Sequence, residues 1–496
     1  MIKMETIMKM TRQQRYRRIE QAQPGELDLL REQVSRCPWR QTFHIQPSTG
    51  LLNDPNGFAY YQGEYHLFYQ WFPLGTEHGL KYWYHTKSED LVHWQNVGIG
   101  LEPGSPYDSH GAYSGSAIQK DDKLYLMYTG NTRDENWIRH PYQCIAVMDE
   151  NGRIMKEEKP VIHSVPDGYT DHFRDPKVWA EGSYYYCVIG AQRANNTGCT
   201  VLYRSTDLKE WEFQGEIITG LGDFGYMWEC PDYFELQDQG VFIFSPQGIN
   251  PEGDRFHNIY QSGYLMGKPL NTETRVFEHG EFQELDQGFD FYAPQTMVAP
   301  DGRRLLVAWM GLPDIEYPTD NSGWAHCLTL PRELSIREGK LIQQPVKELS
   351  KLRREEFTAR HILRNETKMF EGFSGTSYEM ICEFSAHDAE QFGIEFRAGG
   401  SEKTVLKYDR IAKKVILDRS LAGQAVGEAY GQVRQYSLDA STLKFHLFVD
   451  TSSVEIFIND GEEVFTSRIF PDKMSTEIRF FASNGSAELD AVLWNY

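Results

Sequence analysis

Three carboxylates occupy matching places in a repeated pattern: Asp54 in Asn53-Asp54-Pro55-Asn56-Gly57, Asp175 in Arg174-Asp175-Pro176, and Glu229 in Glu229-Cys230-Pro231-Asp232. Each lies a short, similar step ahead of a turn into an aromatic or aliphatic run: Tyr65-His66-Leu67-Phe68, Tyr184-Tyr185-Tyr186-Cys187 and Val241-Phe242-Ile243-Phe244. Two further runs, Leu124-Tyr125-Leu126-Met127 and Leu305-Leu306, are preceded at the corresponding offset by Tyr113-Ser114 and Tyr292. Taken singly, each motif is a set of turn-forming residues. Unrelated turns have no reason to keep phase, so the shared offset points to one pocket holding all three carboxyl groups. Like charges crowded together raise the pKa of at least one member, and the residue left protonated can act as an acid.

The elements that must position them follow from the same period. The five runs recur at intervals close to sixty residues, and Ser88-Glu89-Asp90-Leu91-Val92-His93-Trp94 echoes as Ser205-Thr206-Asp207-Leu208-Lys209-Glu210-Trp211. A fixed repeat of short strands predicts an all-β fold, here a five-bladed β-propeller, with the candidate residues on corresponding innermost strands. The propeller is expected over 41–345, after a polar helical lead-in over 1–40 that ends near Cys37-Pro38. The charged run from Glu348 to Arg360 reads as a linker helix within 346–360. Beyond it, over 361–496, Phe445, Leu447 and Val449, then Val454, Ile456 and Ile458, alternate with other residues before the turn Asn459-Asp460-Gly461. That alternation predicts a separate C-terminal β-sandwich.

Composition narrows the partners. Among 496 residues, 50 Lys and Arg face 71 Asp and Glu, a formal net charge of −21. Nucleic acid and anionic membrane surfaces are disfavoured by that charge, and an anionic small molecule would need a local basic patch. No stretch is long or apolar enough to span a bilayer. The start, Met1 to Glu20, is charged and lacks the apolar core of a secretory signal, so a cytoplasmic protein is expected. Seven scattered cysteines carry no metal-type pairing and fit free thiols in a reducing compartment. Neither a metal nor a cofactor is expected, and a homo-oligomer is compatible with the sequence.

Asn53-Asp54-Pro55-Asn56-Gly57, Tyr69-Gln70, Tyr113-Ser114-Gly115-Ser116, Phe173-Arg174-Asp175-Pro176-Lys177, Glu229-Cys230-Pro231 and Phe291-Tyr292-Ala293 together resemble glycoside hydrolase family 32, the β-fructofuranosidases. The resemblance runs from about His44 to the C-terminus. It implies a five-bladed propeller followed by a β-sandwich, which agrees with the repeat. Carried over by motif, Asp54 would be the nucleophile, Glu229 the general acid/base and Asp175 a stabiliser of the transition state. Cleavage of a fructoside passes through an oxocarbenium-like ion, so a retaining enzyme wants an ionised carboxylate below the anomeric carbon and a protonated one at the leaving oxygen. Arg174 is expected to help keep Asp175 ionised. Asn53, Gln70, Tyr113, Ser114, Arg174 and Trp309 would complete the sugar pocket.

Within the family, the lead-in and Gly79-Leu80-Lys81-Tyr82-Trp83-Tyr84-His85 are most similar to the bacterial members that hydrolyse sucrose 6-phosphate. Two departures from the wider family support that: Leu51-Leu52 precede Asn53 where many members have a Trp, and His78 stands where enzymes acting on unmodified sugars often have one. His78 is expected to supply a group that can carry positive charge. Lys81, Arg139 and His140 join it as candidate phosphate contacts. The expected substrate is a phosphorylated disaccharide cleaved to fructose and glucose 6-phosphate. An invertase or fructan hydrolase acting on free sugars is the alternative. A catalytically silent carbohydrate-binding propeller is the alternative of another class.

Overall fold

Short β-rich runs cut by turn residues can satisfy their backbone groups by pairing with their sequence neighbours, and five successive meanders result. The computed structural model describes residues 9–496, so the part of the expected lead-in over 1–8 lies outside the described residues. The remainder of the lead-in is helical in short pieces, Arg12–Arg15, Ile19–Gln21 and Glu26–Ser35. Five sheets of four or five strands follow. Their innermost strands are Gly50–Tyr61, Ala112–Lys120, Tyr169–Glu181, Met227–Leu236 and Tyr292–Val298. Neighbouring innermost strands touch around the ring, and the first contacts the last, which closes a five-bladed propeller. Trp324–Ala325, an excursion from the fifth blade, pairs in parallel with Gly50 and Leu51.

Every innermost strand carries a bulge. The pairing register slips between Leu52 and Pro55, Ala112 and Gly115, Arg174 and Lys177, Glu229 and Asp232, and Tyr292 and Gln295. Pro55, Pro176, Pro231 and Pro294 sit in four of these bulges, where a residue without an N–H breaks no ladder bond. Asp175, Cys230 and Ala293 adopt positive φ there (69°, 49° and 50°), a conformation uncommon for non-glycine residues. Counted from the last paired residue before each slip, Asp54 and Ser114 stand second, Asp175, Cys230 and Ala293 stand first, and Glu229 is itself the last paired residue.

That alignment corrects the expected phase. The three carboxylates do not share one register position, because an offset counted along the chain drifts with turn length whereas strand pairing does not. A one-residue shift along a strand redirects a side chain.

Just beyond the bulges, polar residues tie one blade to another. Asn56 Oδ1 accepts from Gly115 N at 3.0 Å, Ser116 Oγ donates to the Pro176 carbonyl at 2.9 Å, and Lys177 Nζ pairs with Asp232 at 2.9 Å. Gln295 accepts from Phe58 N and donates to the Gly115 carbonyl. These side chains fix the ring below the carboxylates.

The charged run expected as a linker helix over 346–360 is one 3-10 stretch, Lys347–Leu352, and the chain is already a strand from Glu356 to Lys368. Paired along most of its length with Glu477–Asn495, that strand belongs to the C-terminal sheet. The expected sandwich is a single ten-stranded sheet curled on itself. Glu477–Asn495 spans the curl: its first part pairs with Gln391–Gly399 and its second with Tyr378–Ala386. Phe384, Phe392, Leu447, Ile456 and Phe480 fill the space enclosed.

Phe448, Phe457 and Val464 of this sheet pack instead among propeller side chains. Fully buried Arg332 pairs with Asp286 of the propeller (3.2 Å) and crosses the boundary to Glu455 (2.6 Å) and Thr466 (2.7 Å). His44 lies between Asp450 (2.8 Å) and Glu455 (3.1 Å). Burial alone would disfavour the imidazolium, but those two carboxylates outweigh it and lift the His44 pKa to about 9.

Candidate active site

Asp54 is held from one side. Ser114 Oγ donates to Asp54 Oδ2, and Asn53 Nδ2 donates to Oδ1 at 3.1 Å. Gln70 aligns both donors: its Oε1 accepts from Asn53 at 2.7 Å and its Nε2 donates to Ser114 Oγ at 2.6 Å. Lys81 completes the cluster, with Nζ donating to Asn53 Oδ1 at 2.8 Å. Burial raises the Asp54 pKa and the charge of Glu229 adds to it, against the opposing pull of Ser114, Asn53 and Lys81.

Asp175 accepts from the Cys230 backbone N–H at 3.0 Å. The Cys230 thiol sits between the two aspartates, 3.7 Å from an oxygen of each. Burial lifts Asp175 well above the ordinary carboxylate range, and Glu229 and Asp54 reinforce the rise. Arg174 pulls the other way, the strongest influence after burial, while its hydrogen bonds go to Glu229. Its Nε and Nη2 donate to Glu229 Oε1 at 3.0 and 2.6 Å. Arg174 thus acts on Asp175 in the expected direction, through its charge and not through a hydrogen bond.

Glu229 is gripped at both oxygens. Besides Arg174 on Oε1, Tyr292 OH donates to Oε2 at 2.6 Å and Gln247 Nε2 donates to the same oxygen at 2.8 Å. Four donors from three residues on three blades fix this carboxylate, while Asp54 faces a different set. Two carboxyl groups in distinct environments at one mouth can divide the work of nucleophile and acid.

The remaining predicted residues separate by position. Tyr113 is half-buried, and its carbonyl accepts from Trp83 Nε1 at 2.9 Å. Trp309 is 1% exposed and meets Tyr292, His326 and His78 edge-on, with ring centroids 5.9, 5.0 and 5.9 Å apart. Its Nε1 is buried without a partner among the described residues. His78 does not carry the expected charge: burial, then Lys81 and Arg15, hold its pKa well below the usual histidine value. Lys81 is not a solvated charge either. It is buried behind Asn53, and burial lowers its pKa to about 7 although Asp54 pulls the other way. His140 is half-exposed and turns to Asp134 at 3.2 Å. Arg139 stays on the rim, 3.4 Å from His172 Nδ1, which also meets Arg174 Nη1 at 3.0 Å.

Gln247 and Cys230 are contacts that sequence reasoning missed. Gln247 ends the second strand of its blade, opposite Met227, and nothing in Ser245-Pro246-Gln247 marks it. Cys230 stood inside a noted motif, and its place between the two aspartates becomes visible only in the closed ring.

Comparison with known proteins agrees with this geometry. The model for the N-terminal domain of glycosyl hydrolases family 32 matches residues 44–345, and the model for the family's C-terminal domain matches 348–495. A sucrose-6-phosphate hydrolase of Staphylococcus xylosus is 49% identical, with 97% of each chain covered. One of Bacillus subtilis is 44% identical over 92% of this chain and 94% of its own. Among solved structures, a sucrose-6-phosphate hydrolase from Lactobacillus gasseri superposes with a TM-score of 0.92 at 40% identity, covering 98% of this chain and 99% of that one. A β-fructofuranosidase from Bombyx mori gives 0.82 at 33% identity, covering 96% and 99%. A chain matched along both domains and at this identity belongs to glycosyl hydrolase family 32.

Proposed function

We propose that this protein is a retaining β-fructofuranosidase that hydrolyses sucrose 6-phosphate to fructose and glucose 6-phosphate, and sucrose less efficiently. The carrying observation is the pair of separately held carboxylates, Asp54 under Ser114 and Asn53, and Glu229 under Arg174, Tyr292 and Gln247. Ionised Asp54 attacks the anomeric carbon of the fructosyl unit. Glu229 delivers its proton to the bridging oxygen as that bond breaks, and glucose 6-phosphate leaves. Glu229, now a base, takes a proton from water, and the hydroxide formed displaces Asp54 from the fructosyl ester. Asp175 holds sugar hydroxyls, and Gln70 keeps the donors to Asp54 aligned. The Lys81 charge behind Asn53 favours the ionised nucleophile. Phosphorylated sugars are retained inside cells, so the cytoplasm is the proposed location.

Release of reducing sugar from sucrose 6-phosphate, sucrose and inulin, measured in parallel, tests this. A kcat/KM at least tenfold higher on sucrose 6-phosphate is expected. Equal efficiency on the two disaccharides would favour an invertase, and no release from any of them would favour a silent binding propeller.

A further inference from the structure

Arg133 and Arg139 stand directly opposite each other at the end of the hairpin formed by Lys123–Arg133 and Arg139–Met148. Like charges facing across an antiparallel pair are destabilising. Among the described residues neither guanidinium makes an ion pair. Arg133 Nη1 donates to the Trp137 carbonyl at 3.2 Å, Arg139 meets neutral His172, and Asp134 of the same hairpin is taken by His140. The Nε atoms of both arginines are buried without a hydrogen-bond partner. A third guanidinium, that of Arg174, meets the same His172.

This patch lies on the leaving-group side of the site. Glu229, which protonates the departing oxygen, is bound by Arg174. Arg174 meets His172, and His172 meets Arg139. The N-terminal segment closes the outer edge, with Tyr16 packed edge-on against Trp137 at 5.1 Å and the Arg12 guanidinium over that indole at 4.4 Å. In a chain of net charge −21, two guanidiniums without a carboxylate partner stand beside a substrate mouth, one of them over the Trp137 ring at 5.7 Å, and an anion would pair with both.

We propose that Arg133 and Arg139 form the subsite that binds the phosphate of the leaving sugar, a specificity function that rests on the phosphate preference given above. It replaces His78, Lys81 and His140 as phosphate contacts and keeps Arg139. Two planar guanidiniums offer a phosphate several charge-assisted hydrogen bonds, and free sucrose has no group to take them.

The test is steady-state kinetics of the unchanged enzyme, R133Q and R139Q on sucrose 6-phosphate and sucrose, with inhibition by glucose 6-phosphate and by fructose. Each substitution should lower the ratio of kcat/KM for the phosphorylated over the free sugar at least tenfold, chiefly through KM. Each should weaken inhibition by glucose 6-phosphate more than inhibition by fructose, and R139K should restore part of the ratio. Should R139Q fail to fold, the half-exposed Arg133 decides the matter alone. An unchanged enzyme that prefers the phosphorylated sugar, with variants that keep that ratio within twofold, would overturn the subsite and leave the phosphate preference standing. No preference in the unchanged enzyme would overturn both.

Discussion

Two buried charge clusters, one at the propeller mouth and one where the propeller meets the C-terminal sheet, use similar residues to opposite effect. At the boundary, Asp450 and Glu455 are held below their ordinary pKa values despite burial, by His44 and, for Glu455, Arg332. At the mouth, Asp54 and Asp175 are raised. The difference lies in how charges are paired. The boundary surrounds Asp450 and Glu455 with cations and backbone donors, so their ionised states suit the fold, whereas burial raises Asp286, which shares Arg332. The mouth sets three carboxyl groups against one committed arginine and a lysine one residue removed. A fold tolerates such a mismatch where a substrate and a moving proton will resolve it.

The contrast is broken most sharply at the mouth. Asp54→Asn should lower kcat on the order of 10⁴-fold or more, because an amide cannot form the glycosyl ester, and Glu229→Gln on the order of 10²–10⁴-fold. Asp54→Asn should keep the thermal midpoint of the unchanged protein, since removing a raised carboxyl removes a group the fold disfavours. Thermal unfolding beside turnover assays checks this, and substantial activity in either variant would end the assignment of roles.

At the boundary the same kind of change should do the reverse. Arg332→Met leaves Asp286 and Glu455 buried without their cation, and breaking a buried pair this way costs about 3–5 kcal/mol. Denaturant unfolding should show that loss, while kcat at temperatures where the variant is folded stays near the original value. A variant as stable as the unchanged chain would show that the network contributes little.

A pH series should sharpen the difference. The folded pKa of His44 is raised to about 9 from an unfolded value near 6.5. Its contribution is therefore fully present below pH ~6.5 and is lost as pH rises through about 9. His44→Gln should flatten stability measured across that window. A slope unchanged by the substitution would remove His44 as its source.

The smallest effect expected is a shift in the acidic limb of kcat/KM. Ser114 favours the ionised form of Asp54, so Ser114→Ala should raise that pKa further and move the limb to higher pH. A limb that moves down or stays fixed would mean another group sets it.

Much of the architecture was legible because strand repeats and alternation are local patterns. The sixty-residue period marks the blades, and Phe445, Leu447 and Val449 lie on a strand, Thr442–Asp450, as their alternation predicts. Charged residues misled over 346–360, since the same side chains suit a solvated helix and the exposed face of the edge strand from Glu356. Lys81 and His78 show another limit. Charge type is written in the sequence, but surroundings are not: burial lowers the pKa of both, and Lys81 Nζ is spent on Asn53.

By itself the sequence determined the strand repeat, the three carboxyl-bearing motifs and the family resemblance, because each depends on residue type and spacing along the chain. Tertiary structure decided which side chains meet. The five bulges placed Glu229 out of step with Asp54 and Asp175, turned Arg174 toward Glu229, and set Cys230 between the aspartates. Such contacts join residues more than fifty positions apart on different blades. Their geometry is fixed by strand register and closure of the ring, and neither is specified by any local run of residues.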